Sequence, residues 1–476
     1  MSARVFVLSA LALSAALLLA GVPQLHFGWG WHNDEPTKVL QILDGAWNLR
    51  HPPLMLELVS AATRTLRLTD GQAVAFCGRL LSLLAAGTVM VGGMWLAGRQ
   101  AGTLAGLGAG LVLFFQPALF EAGHYFKEDA LFLAALMLTF TALFACERSA
   151  GRGAWLGLGA ALALTVSVKY SGWLLVPAVA LFAGLRGGKH WPLTLAALVL
   201  LTLAVNLPLL TDWRGFRESF GDELYRLGHG DYGMSSARSL AWNYLALAAR
   251  QIPWPLLAGY IIYAGWRLRR GATPAEWIFL AVPPLTLAAL ALTAKYSERY
   301  LLPLTVTVSV AGLYGPLLMT KRPALKITLA VALTVSGCVW TGGAWLGLHR
   351  GFQHDSRAEL TAWICRHLPA DAVIAEDTYA KINQYALQGR VLLDNFFAAD
   401  IGPLDELRAL GVTHLIISYD VYHRFVDGSA APPSGQAADF ARRRLFYETA
   451  RRQKILWHDA NANPKALHPG LTLVEL

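Results

Sequence analysis

Residues 121–148 read EAGHYFKEDALFLAALMLTFTALFACER, in which Glu121, His124, Tyr125, Lys127, Glu128 and Asp129 crowd together just ahead of a long apolar run. A hydrocarbon core about 30 Å thick needs about 20 apolar residues in a helix, so this run predicts a membrane span with the cluster at its mouth. Ionisable side chains at membrane depth are costly and point to function with a partner. A short link between two spans needs few charges, so a solvated turn is a poor account of this one.

Similar runs begin around Val5, Val74, Ala101, Ala154, Gly172, Trp191, Ala241, Trp277, Tyr300 and Ile327, which makes about eleven spans of membrane length. The chain has 476 residues, 55% hydrophobic and 15% charged, a balance that lipid solvates better than water. The net charge of +9 is dispersed in small groups between apolar runs, which argues for topology signals and against nucleic-acid binding. Four cysteines without metal spacing predict neither a zinc site nor a disulfide in the tail.

Alternate loops carry Arg4, Arg99, Arg148 with Arg152, Arg186 with Lys189, Arg267 with Arg269 and Arg270, and Lys321 with Arg322 and Lys326. By the positive-inside rule these are cytoplasmic. An odd number of spans then puts the N-terminus inside and residues 350–476 outside, as expected of a multi-pass protein of a bacterial-type inner membrane. Met1 to Val22 also has the shape of a cleavable signal peptide; removal would leave the orientation unchanged.

The remaining loops share the outer face and hold the acids suited to chemistry. Asp34-Glu35-Pro36 opens a short surface helix, and the positive end of its dipole favours ionised carboxylates there, the state a general base needs. Helix capping alone is the plainer role for Asp34. His51-Pro52-Pro53-Leu54 starts a second surface helix. Lys169 with Tyr170, and Lys295 with Arg299 and Tyr300, stand at the outer boundary, where cations either snorkel to the headgroups or bind a lipid-attached phosphate.

In this order and at these loop positions, Asp34-Glu35, His51 to Leu54, Tyr125 to Asp129 running into Leu131-Phe132, Lys169-Tyr170, and Arg299 to Pro303 resemble the GT-C glycosyltransferases of the protein O-mannosyltransferase and aminoarabinose-transferase type. The resemblance covers residues 1–349. It implies an enzyme that moves a sugar from a polyprenyl-phosphate carrier to a hydroxyl of a lipid, protein or glycan acceptor, with inversion, on the outer membrane face. It further implies Asp34 as base, Glu35 as a residue orienting Asp34 or the acceptor, and Asp129 or Glu128 as the second acid. His51, Tyr125, Lys127, Lys169, Tyr170, Lys295, Arg299 and Tyr300 would bind substrate. No cofactor is required, although the paired acids leave room for a divalent cation.

From Arg350 the charge density rises and short helix and strand patterns alternate, with strand-like runs at 372–375, 390–393 and 412–418. These predict a small α/β domain with a largely parallel sheet, a flexible linker from Asp427 to Gln436 and a basic helix with Arg442, Arg443, Arg444, Arg451 and Arg452. Without a phosphate loop or nucleophile elbow, this domain reads as acceptor recognition or a lid, and Asp377, Asp394 and Asp420 as turn residues. The competing function is a transporter or flippase, which would show repeated halves and broken helices with mid-membrane polar groups.

Overall fold

The computed structural model describes residues 3–476 apart from 29–31, 33, 149–150, 230–236, 295–296, 378, 383, 428–431, 433–434 and 460–466. Each apolar run folds as helix. Among the described residues seven helices are long and apolar enough to cross a membrane: Arg4–Gln24, Gly71–Ala101, Glu128–Arg148, Gly188–Val205, Pro274–Ala291, Glu298–Met319 and Pro323–Gly351. An eighth is counted if Trp242–Gln251 and Trp254–Arg270, bent by 110°, form one broken span. Thr103–Phe114, Arg152–Val168 and Tyr170–Arg186 are apolar but shorter, so the expected count of about eleven full spans is not established.

The breaks have backbone causes. Gly102, at φ +97, ends one helix and opens the next. Lys169 is extended and divides the stretch 154–185, where the sequence places two helices. Pro253 lacks an N–H and disfavours helix in the residue before it, so the 242–270 segment bends there.

The helix Leu302–Met319 is buried on nearly all sides. A Cβ on Gly312 would lie 1.9 Å from the Leu256 carbonyl oxygen, and one on Gly259 would lie 2.3 Å from that of Gly312. Only glycine permits this backbone contact between helices. It fixes the height of the helix whose leading turn carries Arg299.

The surface helices fold as the sequence indicates, over Glu35–Asp44 and Leu54–Leu66. Val39, Met55, Leu56 and Val59 turn their apolar faces onto Val74, Ala75 and Phe126. A Cβ on Gly78 would come within 2.2 Å of the Phe126 ring, so the loop ahead of Glu128 sits directly on the helix beneath.

Beyond Gly351, residues 356–476 form a five-stranded sheet with apolar clusters on both faces. Its strands are β1 (Val373–Asp377), β2 (Val391–Asn395), β3 (His414–Ser418), β4 (Lys454–His458) and β5 (Leu471–Glu475), in the order β2-β1-β3-β5-β4. The first three are parallel, as expected, but β5 runs antiparallel to β3 and β4 antiparallel to β5. The sheet is therefore mixed. β4 and β5 carry weak strand signals, and their pairing depends on β3, far away in sequence. The basic helix spans Ala437–Ala450 and leaves Arg451 and Arg452 beyond its end. The middle of the 427–436 linker lies outside the described residues.

Candidate active site

Four chain segments converge at the end of the bundle that carries the sheet domain. The first surface helix brings Asp34 and Lys38, the 121–129 link brings Lys127, Glu128 and Asp129, and the helix breaks near 169 and 299 bring Lys169 and Arg299. Lys127 pairs with Asp34, Lys38 with Glu128, and Lys169 with Asp129. Arg299 stands between two acids, 4.0 Å from Asp34 and 3.5 Å from Asp129.

Four cations thus face three carboxylates, and Arg299, the most loosely held, is the surplus charge. Glu128, Asp129 and Lys38 are buried, whereas the Asp34 side chain is 46% exposed and that of Arg299 36%. Of the three carboxylates, Asp34 is the one open to a reactant.

The field keeps Asp34 ionised. Burial alone would raise its pKa, but the Lys127 ammonium above all, with His32 and Arg299, holds it well below the usual carboxylate range. Burial and the nearby Arg299 bring Lys127 down to about 8 even against the pull of Asp34 and Asp129. His32 is lowered by burial and by Lys127, and its Nδ1 accepts the Asp34 backbone N–H at 3.2 Å. His51 is lowered by burial, with Lys38 and Lys169 opposing Glu128, which makes it a neutral neighbour of the cations.

Glu35 is placed elsewhere. Its carboxylate is fully buried and takes a fork from Arg79, Nε to Oε1 at 3.0 Å and Nη2 to Oε2 at 2.6 Å, while the Phe126 N–H donates to Oε1 at 2.8 Å. The Arg79 guanidinium lies over the Phe27 ring at 3.6 Å and also donates to the Leu25 and Phe27 carbonyls. With its lone pairs committed inside the protein, Glu35 anchors the turn that presents Asp34 and meets no acceptor. Of the two roles expected of it, orienting Asp34 or the acceptor, this placement is compatible with the first.

The aromatic residues divide in the same way. Tyr300 lies beneath Lys169 and Arg299, its ring centroid 5.6 and 5.5 Å from them. Tyr170 donates to the Leu49 carbonyl at 3.0 Å and so braces the loop leading to His51. Tyr125 is buried against His32, ring centroids 4.5 Å apart. Lys295 lies outside the described residues. Among those described, no group of three or more His, Cys, Asp and Glu side chains is arranged to hold a metal ion.

Three partners were not singled out from the sequence. Arg79 carried a signal, since a guanidinium within a membrane-length apolar run must be paired. Lys38 is one turn beyond Asp34 on the same helix, where residues three or four apart share a face. Lys381 had no local signal. It follows β1 at φ +46, in a loop whose Tyr379 and Ala380 carbonyls each accept from buried Arg357 at 2.7 Å and whose Ile382 N–H donates to Glu376 at 3.0 Å. Burial and Arg357 lower its ammonium to about 8, opposed by Asp34 and Glu35. The sheet domain therefore reaches into the electrostatic field of the cleft.

Known proteins agree with this architecture. Residues 50–211 match the family described as dolichyl-phosphate-mannose-protein mannosyltransferase, a window that includes His51, the 121–129 cluster and Lys169. The chain superposes on ArnT from Cupriavidus metallidurans bound to undecaprenyl phosphate with a TM-score of 0.54 at 16% identity, covering 98% of this chain and 97% of that one. The apo state of that protein gives 0.55 at 15%, covering 99% and 97%. The oligosaccharyltransferase of Archaeoglobus fulgidus, in complex with Zn and sulfate, gives 0.50 at 12%, covering 96% and 72%. Comparison with curated proteins returns no significant match.

In fold, this polytopic membrane protein is similar to the GT-C glycosyltransferases. Within that type, the resemblance is to the mannosyl- and aminoarabinose-transferase kind, ArnT matching in fold along the whole chain and the mannosyltransferase family over 50–211.

Proposed function

We propose that this chain is an inverting glycosyltransferase that takes a sugar from a polyprenyl-phosphate carrier and transfers it to a hydroxyl of a lipid, protein or glycan acceptor. The observation that carries the reading is Arg299 held between Asp34 and Asp129, beside the Lys127 and Lys169 pairs. A loosely engaged guanidinium next to an exposed, ionised carboxylate suits a phosphate leaving group beside a nucleophilic alcohol.

In this reaction the acceptor oxygen attacks the anomeric carbon and its proton passes to the Asp34 carboxylate. The bond from that carbon to the phosphate oxygen breaks, and the phosphate departs with the electron pair onto Arg299 and the neighbouring lysines. Donor binding itself tunes the base. Without donor, Lys127 and Arg299 make Asp34 a weak base; once a phosphate draws on those cations, its proton affinity rises toward the range useful at neutral pH. Binding and activation are thereby coupled through one set of charges. No step is assigned to a metal.

The basic loops support a reaction on the non-cytoplasmic face of a bacterial-type inner membrane. The fold likeness to ArnT bound to undecaprenyl phosphate supports a lipid-linked donor. The test is transfer from radiolabelled polyprenyl-phosphate sugars by purified protein, wild type against Asp34→Asn. A general base contributes about 10²–10⁴-fold, so a loss smaller than about tenfold would remove Asp34 from that role.

A further inference from the structure

A second cavity, of about 610 Å³, lies at the same end of the bundle between the helices Arg4–Gln24 and Pro323–Gly351, and the sheet domain contributes Leu467 to its lining. It shares no lining residue with the carboxylate and cation cleft. Its walls are apolar at Leu19, Phe27, Phe352 and Leu467, and polar at Gln24 and Asp355 and at His26, His349, Gln353 and His354. Leu19 is 78% exposed on the bundle surface, so an apolar chain entering the cavity has a continuous path along the lipid-facing side of the first helix.

Two acceptors in the polar wall lack a donor. Gln24 is 94% buried, counted from its 6% exposure. Its Nε2 donates to the His349 carbonyl at 2.9 Å, which fixes the amide orientation because a carbonyl can only accept. Oε1 is then left buried with no protein partner. Asp355 uses Oδ1 to accept the Arg357 N–H at 3.0 Å and cap the helix Ser356–His367, and its Oδ2 is likewise buried and unpartnered. Buried acceptors without donors are costly and rare.

Two orphan oxygens, one of them anionic, call for a ligand that brings N–H donors and positive charge, joined to an apolar body. We propose that this cavity binds a membrane phospholipid with a primary ammonium headgroup, the ammonium meeting Asp355 Oδ2 and Gln24 Oε1 and an acyl chain running along Leu19. Burial also raises the Asp355 carboxyl to about 6 despite Arg357, as expected of a carboxylate whose neighbouring cation does not offset its desolvation. The inference is independent of the glycosyl-transfer reading, because it rests on none of the cleft residues.

The test uses the full-length protein exchanged into equimolar phosphatidylethanolamine, phosphatidylcholine and phosphatidylglycerol, with retained lipid counted by native mass spectrometry. Charge-assisted hydrogen bonds to an ammonium predict retention of phosphatidylethanolamine by about fivefold or more over the N-methylated lipid, which has no N–H to donate. Asp355→Asn keeps the helix cap and removes the charge; it should abolish the preference, and Gln24→Leu should weaken it. Equal retention of the amine and choline lipids would overturn the proposal, as would a preference unchanged in Asp355→Asn. Retention of phosphatidylglycerol equal to that of the amine lipid would overturn the ammonium assignment. A thermal melt of each variant separates loss of the site from loss of the fold.

Discussion

Glu35 is locked by the Arg79 guanidinium at 3.0 and 2.6 Å, both side chains fully buried, while its sequence neighbour Asp34 faces the cleft. Adjacent acids at a helix start are thus sorted into a buried anchor and an acid left half-exposed. Removing one partner of a buried pair leaves the other charged and desolvated, at about 3–5 kcal/mol. Arg79→Met should therefore lower the unfolding free energy by about that much, and Glu35→Gln should impair folding less, because the Arg79 guanidinium it leaves charged keeps the Leu25 and Phe27 carbonyls as acceptors. Equal and small effects of both, read by denaturant unfolding in detergent, would show that the pair is not an anchor.

Arg299 spans Asp34 and Asp129 with two different nitrogens. Lysine keeps the charge but not the fork. Arg299→Lys should reduce kcat/KM by about 10²-fold, the usual scale for losing a positioned electrostatic donor, with little change in melting temperature. A kcat/KM within threefold of wild type, on the same scale, argues that no leaving group meets this side chain.

Lys127 gives the reaction an alkaline limit. Its ammonium is lowered to about 8, so it is charged below that pH and neutral above it, and donor binding should weaken as pH rises through about 8. Asp34 is depressed and stays ionised down to pH values well below neutrality, so no acid limb from it is expected near pH 6 in the free enzyme. A kcat/KM profile measured from pH 6 to 9.5 tests both statements. In Lys127→Arg the alkaline limb should shrink to what Lys381, also lowered to about 8, contributes, because a guanidinium does not lose its proton in this range.

Lys381 brings the sheet domain's charge into the field of Asp34 and Glu35. Lys381→Met should raise KM for one substrate by roughly five- to tenfold, the loss expected of one partly screened contact, and leave the melting temperature within a degree or two. Measuring KM for donor and acceptor separately tells which of them the domain touches. If neither changes, the domain's part in substrate binding lies with other residues.

Hydropathy, charge and motif order carried much of this protein by themselves. Runs of apolar residues mark helices because lipid cannot hydrogen-bond a bare backbone, and the acid-rich link at 121–129 marks the cleft because charges are not placed at a span's mouth without use. The three parallel strands were readable for the same local reason, apolar β-branched runs between turns. What the sequence could not supply is pairing. It named Asp34, Glu35, Asp129, Lys169 and Arg299 as one group, yet only the folded chain shows Arg79 withdrawing Glu35, Lys38 taking Glu128, and a loop after β1 holding Lys381 within the field of Asp34 and Glu35. Periodicity and composition are properties of neighbours along the chain. Which cation meets which carboxylate depends on helix breaks, glycine contacts and a distant sheet, and that choice decides which acid remains free to react.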